Sequence, residues 1–321
     1  MTNKVVTITL NPALDLTGTL PQLNTGSVSV VSSSALHAAG KGVNVAKVLS
    51  DLGASVTVTG FLGTDNQELF CQLFEQIGAN DQFIRVEGAT RINVKLVEQN
   101  SRVSDINFPG IVIPEQAIAE FEETLDVLCE DHEYFVLAGS LPRGVSEQQC
   151  QRWIELLNAR GKKVLFDSSR HALASGIQSK PWLIKPNDEE LAELTGQSQE
   201  TEAECIDSAA LLRQQGIANV VVSRGEKGVV WLNNSGAYLA QPPKMEVVST
   251  VGAGDTLVAG LCWGHMQDMP ATQLIQFATA LSALAVGQVG VGVQDINQLN
   301  TLQNLIKVEH LSLAEHTGTE G

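Results

Sequence analysis

The chain has 321 residues, 43% hydrophobic and 17% charged, a balance that can bury a large core in one or two domains and does not match a disordered chain. Its 36 acidic and 20 basic residues give a formal net charge of −16, which repels nucleic acid and anionic membrane surfaces and argues against either as a partner. If phosphorylated substrates bind, a few lysines and arginines must be placed to overcome that field.

From Met1 the chain runs into the alternating apolar segment of residues 5–10 without a signal-peptide pattern, and no apolar run is long enough to span a bilayer. The expected location is the cytoplasm. Further strands are predicted at 56–61, 134–138, 163–167, 182–185 and 219–223, and helices at 42–52, 67–77, 114–129, 146–159, 202–215, 253–266 and 271–286. Short β-rich runs alternating with longer helical ones define an α/β chain with a central, mainly parallel sheet. Gly53, Gly78, Gly161 and Gly216 follow helices where left-handed cap residues are expected.

Two stretches break this rhythm. Residues 16–36 are rich in Thr, Ser and Val with no helical period, and residues 91–108 alternate like a pair of strands. Together they read as a small β lid drawn from about 12–36 and 89–110, with Gly88 and Pro109-Gly110 as hinge ends of the second excursion. The body is expected to be one domain over 1–310; from about Glu309 the chain is polar and aperiodic, and 311–321 read as a frayed tail. The five cysteines, Cys71, Cys129, Cys150, Cys205 and Cys262, are widely spaced without a CxxC pair, so buried free thiols are expected.

The strongest chemical signal is Ser249-Thr250-Val251-Gly252-Ala253-Gly254-Asp255-Thr256, directly before an apolar helix. A small-residue loop opening a helix presents unpaired N–H groups and a positive dipole end, an anion site. Asp255 is then either a helix-start acid favoured by the dipole or a base beside a phosphoryl group. A second loop, Ala38-Ala39-Gly40-Lys41-Gly42-Val43-Asn44, also opens a helix. Gly40 and Gly42 allow close backbone approach, Lys41 brings a charge, and Asn44 can donate and accept. It lacks the Gly-Lys-Ser/Thr ending of a P-loop.

Both loops, in this order, resemble the two signature regions of the PfkB (ribokinase-like) carbohydrate kinases, and the resemblance extends over nearly the whole chain. It implies a ribokinase-like three-layer fold with a small β lid. Asn11-Pro12-Ala13-Leu14-Asp15 resembles the substrate-side motif in which the acid holds sugar hydroxyls, and Ala138-Gly139-Ser140-Leu141-Pro142 the turn lining the same pocket. Lys185-Pro186-Asn187-Asp188-Glu189-Glu190 resembles the family's Asn-x-x-Glu motif, implying that Asn187 and Glu190 organise Mg²⁺ and nucleotide phosphates, largely through water. Ser223-Arg224-Gly225-Glu226-Lys227-Gly228 looks like the nucleotide-side turn. By this resemblance Gly252, Ala253 and Gly254 form the anion hole, Thr250 joins them in binding ATP, and Asp255 is the base. Bland alternatives stand beside these: Asn187 and Glu190 as a capping box, Asp15 as a turn cap, Lys185 as a surface lysine.

His37-Ala38-Ala39-Gly40-Lys41-Gly42 and Thr90-Arg91-Ile92-Asn93-Val94-Lys95-Leu96 resemble the versions found in the family's fructose 1-phosphate branch, and Ser249 stands where ribokinase and nucleoside branches often carry Asp. Ala39, where many relatives have glycine, must keep an ordinary negative φ. The substrate set implied is Asp15, Gly40, Lys41, Asn44, Arg91, Asn93, Lys95, Ser140 and Asp255, with Arg91, Lys41 and Lys95 as candidates for the phosphate already on the sugar. Arg91 and Lys95 also fit a solvated strand face. The implied reaction is ATP-dependent phosphorylation of D-fructose 1-phosphate. A kinase for fructose 6-phosphate or tagatose 6-phosphate and a silent sugar-phosphate sensor are the rivals. ATP and Mg²⁺ are the implied cofactors, K⁺ dependence stays open, and relatives that pair through their lids imply a homodimer.

Overall fold

A computed structural model describes residues 3–100 and 102–312. The first half contains β1 (Lys4–Thr9), β2 (Ala13–Leu20), β3 (Ser33–Ala39), α1 (Lys41–Asp51), β4 (Ser55–Gly63), α2 (Glu68–Gln76), β5 (Asn80–Asp81), β6 (Ile84–Val86), β7 (Ile92–Glu98) and β8 (Val103–Ile106). It continues through α3 (Glu115–Leu128), β9 (Tyr134–Ala138), α4 (Glu147–Ala159), β10 (Lys163–Asp167), α5 (Arg170–Gly176), β11 (Leu183–Ile184), α6 (Asp188–Thr195) and α7 (Glu202–Gln214). The last elements are β12 (Asn219–Ser223), β13 (Val229–Asn233), β14 (Gly236–Gln241), α8 (Ala253–Met266), α9 (Ala271–Val286), α10 (Ile296–Leu305) and β15 (Lys307–Leu311).

The central sheet runs β15-β14-β13-β12-β11-β10-β9-β1-β4-β5, with β6 also on β4. From β12 to β5 every pairing is parallel, and β12 to β15 are joined antiparallel. Buried strands alternate their side chains between two cores. Val136, Leu165 and Val221 face the layer of α1, α8, α9 and α10, while Phe135, Leu137, Val164, Phe166, Val220 and Val222 face α3, α4 and α7. This is the ribokinase-like α/β sandwich of helices, sheet and helices. Gly53, Gly78, Gly161 and Gly216 all take positive φ after their helices, and Ala39 does not. Four of the five cysteines are buried, Cys71 partly, and all are free.

The two excursions meet in a separate four-stranded sheet of order β3-β2-β7-β8. β2 pairs with β7 in parallel, so Asp15 lies opposite Asn93 and Thr17 opposite Lys95. Both edge strands are largely exposed.

Two expectations are corrected. Residues 309–311 are not frayed: they belong to β15, which pairs with β14 from Lys307 to Leu311. An edge strand buries little on its outer face, so its polar composition hides it, while backbone hydrogen bonds and the Tyr238–His310 ring stack at 4.3 Å hold it. The rest of the expected tail, 313–321, lies outside the described residues. The strand expected at 182–185 shortens to Leu183–Ile184.

Candidate active site

Because β1, β9, β10, β11 and β12 are parallel, their carboxyl ends share one edge of the sheet, where α/β proteins place ligands. Asn11, Ser140, Asp167, Lys185 and Ser223 follow or close those strands in turn. The first residues of α1 and α8 face one another there, since these helices pack together.

α1 is seated on β1 by glycine. A Cβ on Gly42 would stand 2.3 Å from Thr9 Oγ1, and Gly40 holds φ 133° against Thr9 and Pro12. That close approach aims Lys41 and Asn44 at the strand ends. α8 begins at Gly252, whose φ of 80° and whose contact with Val291 leave no room for a side chain. No side chain caps the helix. Val251 N–H donates to Ser249 Oγ at 3.2 Å and Ala253 N–H to Thr250 O at 3.4 Å. Two of the loop's amides are thus engaged within it, while those of Gly252 and Gly254 have no protein acceptor among the described residues.

Asp255 sits one turn into α8 and is buried. Asn44 Nδ2 donates to its Oδ2 at 2.7 Å. Burial and the neighbouring Asp167 carboxylate raise its pKa from 3.8 to about 6, against the Asn44 hydrogen bond and the charges of Lys41 and Lys185, which pull it down. A carboxylate so tuned is a better proton acceptor than a solvated one.

Asp167, at the end of β10, was not singled out from sequence. It is 1% exposed and lies 3.3 Å from Lys41 Nζ and 3.5 Å from the buried Lys185 Nζ. Burial works against the charge on Lys41, but Asp167, Asp255 and Glu190 together raise its pKa, so it stays protonated. A Cβ on Gly254 would lie 3.6 Å from Lys185 Nζ, which puts that ammonium beside the α8 loop. Lys185 is therefore not a surface lysine.

On the lid side, Asn93 Nδ2 donates to Asp15 Oδ1 at 3.1 Å, and Asn93 Oδ1 is buried without a partner among the described residues. An orphaned acceptor beside a carboxylate suits a ligand carrying hydroxyl donors. Burial raises the Asp15 pKa, opposed by the Asn93 hydrogen bond and the charges of Lys95 and Arg91. Asn11 Nδ2 donates to Ser140 Oγ at 3.0 Å, tying the β1 and β9 ends.

The other cations are more committed than expected. Arg91 donates to Asn11 O at 2.9 Å, Pro12 O at 3.3 Å and Phe108 O at 3.4 Å, so its guanidinium clasps both ends of the lid. Lys95 Nζ lies 3.6 Å from Asp105 across the lid hairpin. Arg224 is buried and donates to Glu200 O at 2.9 Å, bracing the segment before α7. Gly225 opens the short turn after it, and Gly228 closes that turn where a Cβ would strike Ala240 O.

Asn187 and Glu190 form a capping box on α6: Asn187 Oδ1 accepts from Glu190 N–H at 2.7 Å, and Glu190 Oε2 from Asn187 N–H at 2.9 Å. Among the described residues no three His, Cys, Asp or Glu side chains converge on a metal position. The cap uses Glu190 Oε2, which leaves its other oxygen, a hard donor, for hydrated-cation contact.

The pfkB family carbohydrate kinase model matches residues 3–297, and the chain belongs to that family. Its similarity to two 1-phosphofructokinases narrows the class. It is 67% identical to that of Vibrio cholerae serotype O1 over 97% of this chain and 98% of the relative, and 44% identical to that of Escherichia coli K12 over 96% and 99%. The structure of Escherichia coli phosphofructokinase-2 in complex with substrates and products superposes with a TM-score of 0.86 over 94% of this chain and 99% of that one. At 23% identity that likeness speaks for the fold.

Proposed function

We infer that the chain transfers the γ-phosphoryl group of ATP to the C6 hydroxyl of D-fructose 1-phosphate, giving ADP and fructose 1,6-bisphosphate. The observation that carries the substrate is the 67% identity to a 1-phosphofructokinase along 97% of the chain. The chemistry rests on Asp255, a buried carboxylate of raised pKa beside the glycine loop that opens α8. It takes the hydroxyl proton as the sugar oxygen bonds to phosphorus and the bond to the bridging oxygen of ADP breaks. Gly252 and Gly254 offer backbone N–H groups to the transferring phosphoryl, Ala253 N–H being held by Thr250 O, and Lys185, fixed by Asp167, adds a charge there.

Asp15 and Asn93 are assigned to sugar hydroxyls; Lys41, Arg91 and Lys95 are assigned to the sugar's phosphate, with Arg91 also holding the lid. Asn187, Ser223 and the turn from Arg224 to Gly228 form the nucleotide side, joined by the bridge between Asn187 and Ser223. Glu190, through the oxygen its cap leaves unused, and Asn187 would hold the nucleotide's hydrated Mg²⁺, which when bound would supply charge neutralisation. Free thiols agree with a cytoplasmic enzyme, and no helix of the described residues is long and apolar enough to cross a membrane.

A second copy is proposed on the lid, because Val28, Val30, Val103, Ile106 and Phe108 are exposed apolar residues on or beside its strands. Sedimentation of the wild type and of a Val30→Lys, Phe108→Lys double variant tests this: a wild-type dimer lost in the variant is expected, and a wild-type monomer rejects it.

The deciding assay is ADP release with fructose 1-phosphate, fructose 6-phosphate and tagatose 6-phosphate in parallel, with and without K⁺. The highest kcat/KM is expected with fructose 1-phosphate. A higher value for either 6-phosphate would transfer the reading to that sugar, and ADP release independent of any sugar phosphate would reject it.

A further inference from the structure

Three non-glycine residues among those described hold positive φ: Arg170 at 53°, Lys180 at 52° and Asp268 at 50°. Two are explained by helix termination. Lys180 is the left-handed cap of the short turn after α5, and Asp268 follows the C-cap of α8. Arg170 lies instead at the start of α5, where an ordinary residue takes a negative φ and nothing about helix ending requires the left-handed region. Strain of this kind persists where the surroundings enforce it, and it gathers at sites that hold ligands.

The surroundings of Arg170 are specific. It comes three residues after Asp167 on the loop leaving the β10 end, and that loop is pinned by Ser168 Oγ donating to Gly139 O at 2.9 Å. Arg170 lines a cavity of ≈ 440 Å³ with His171, Glu190, Glu193 and the apolar wall of Leu173 and Leu194. Glu190 ties this cavity to the nucleotide side, since it shares the α6 capping box with Asn187. Arg170 is exposed and makes no ion pair among the described residues, although the chain carries 36 acids.

Sheet order says which substrate an arm at this place can meet. The lid, with Asp15 and Asn93, leaves the sheet beyond β1, two strands to one side of β10. α6, with Asn187 and Glu190, lies between β11 and β12 on the other side. The cavity is shared by α5 and α6, so it belongs to the side away from the sugar.

We propose that Arg170 is a positioning arm for the phosphoryl donor: from its strained backbone the guanidinium reaches through the cavity to the nucleotide's phosphate oxygens, and it makes no contact with the sugar phosphate. A planar fork of N–H donors suits two phosphate oxygens, and among the described residues Arg170 is the one arginine or lysine lining the cavity. The proposal rests on the kinase reading above.

Arg170→Gly separates function from structure, because glycine takes positive φ without penalty. Isothermal titration of ATP with Mg²⁺ into the sugar-free protein should give a Kd raised about tenfold or more in R170G. Its Tm should be equal to or above that of the wild type, and KM for fructose 1-phosphate should stay within threefold. Arg170→Lys should recover only part of the nucleotide affinity. A nucleotide Kd within twofold of wild type in R170G, or an equal loss for nucleotide and sugar, overturns the proposal. Failure of the fructose 1-phosphate reading would instead appear as an inactive wild type on that sugar, which the sugar-free titration does not depend on.

Discussion

Asn44, the fourth residue of α1, and Asp255, the third of α8, are joined by a 2.7 Å hydrogen bond across 211 positions of sequence. The bond favours the ionised acid, yet burial and Asp167 outweigh it and hold the pKa at about 6. The proposed base therefore titrates close to neutrality.

Asp255→Asn keeps the shape and removes the charge. Its kcat should fall at least a hundredfold, the usual contribution of a positioned base, with both substrates still bound. Stability should move the other way. An acid whose folded pKa is raised from 3.8 to about 6 costs nothing well below 3.8; its cost grows as pH rises from there to about 6 and is constant above. The shift corresponds to about 3 kcal/mol at pH 7. The asparagine variant should accordingly gain more Tm over the wild type at pH 7.5 than at pH 5. Thermal melts at the two pH values check this; a variant less stable at pH 7.5 contradicts the burial argument.

Two neighbours should move the acidic limb of the kcat profile in opposite directions. Asn44→Ala removes a bond that lowers the Asp255 pKa, so the limb should rise above about 6. Asp167→Asn removes a charge that raises it, so the limb should fall. The second variant also strips the counter-ion from buried Lys185 and should cost on the order of 3 kcal/mol or more by denaturant titration. Limbs that move together would show that the profile reports another group.

The reach of sequence reasoning follows from which patterns are local. Parallel strands such as β9 and β10 and amphipathic helices such as α4 announce themselves by period and caps, and they stand where expected. The loop containing Gly252 and the one containing Gly40 were legible because close backbone approach demands glycine. The β13–β14 hairpin is absent from the predicted strands although Asn234-Ser235-Gly236 marks its turn, and β15 is hidden by its edge position. Asp167 was visible only as the last residue of a predicted strand; its role depends on Lys41 and Lys185, brought to it from distant positions. Arg91 was read as a phosphate ligand because charge is legible in sequence and carbonyl clasps are not.

Glu190→Gln distinguishes the cap from the cation. Glutamine retains an oxygen acceptor for the Asn187 N–H, so the capping box and the Tm should survive. Only the charge is lost. The Mg²⁺ concentration for half-maximal activity at saturating fructose 1-phosphate should rise several-fold, with KM for the sugar little changed. An unchanged Mg²⁺ titration would confine Glu190 to its cap.

Arg91 offers the sharpest test of the sugar side, because its guanidinium carries two duties. It donates to Asn11 O and Pro12 O at the start of one lid excursion and to Phe108 O near the end of the other. Three donors are thereby engaged, which leaves two of the five for a phosphate. Burial lowers its pKa, with the Asp15 charge opposing, but a guanidinium stays protonated. In Arg91→Ala the phosphate contact and the lid clasp vanish together. KM for fructose 1-phosphate should rise about ten- to hundredfold, the worth of one charge-assisted hydrogen bond. A modest fall in kcat should accompany it, because a loosened lid no longer holds Asp15 and Asn93 in register. KM for ATP should barely move. Arg91→Lys separates the two duties: an ammonium supplies the charge but cannot span Asn11 and Phe108 while also facing a phosphate. The lysine variant should therefore recover little, with KM for the sugar within about threefold of the alanine variant. Steady-state kinetics with each substrate varied at saturation of the other decide the matter. Recovery close to wild type would reduce Arg91 to a point charge, and a parallel rise in KM for ATP would remove it from the sugar side altogether.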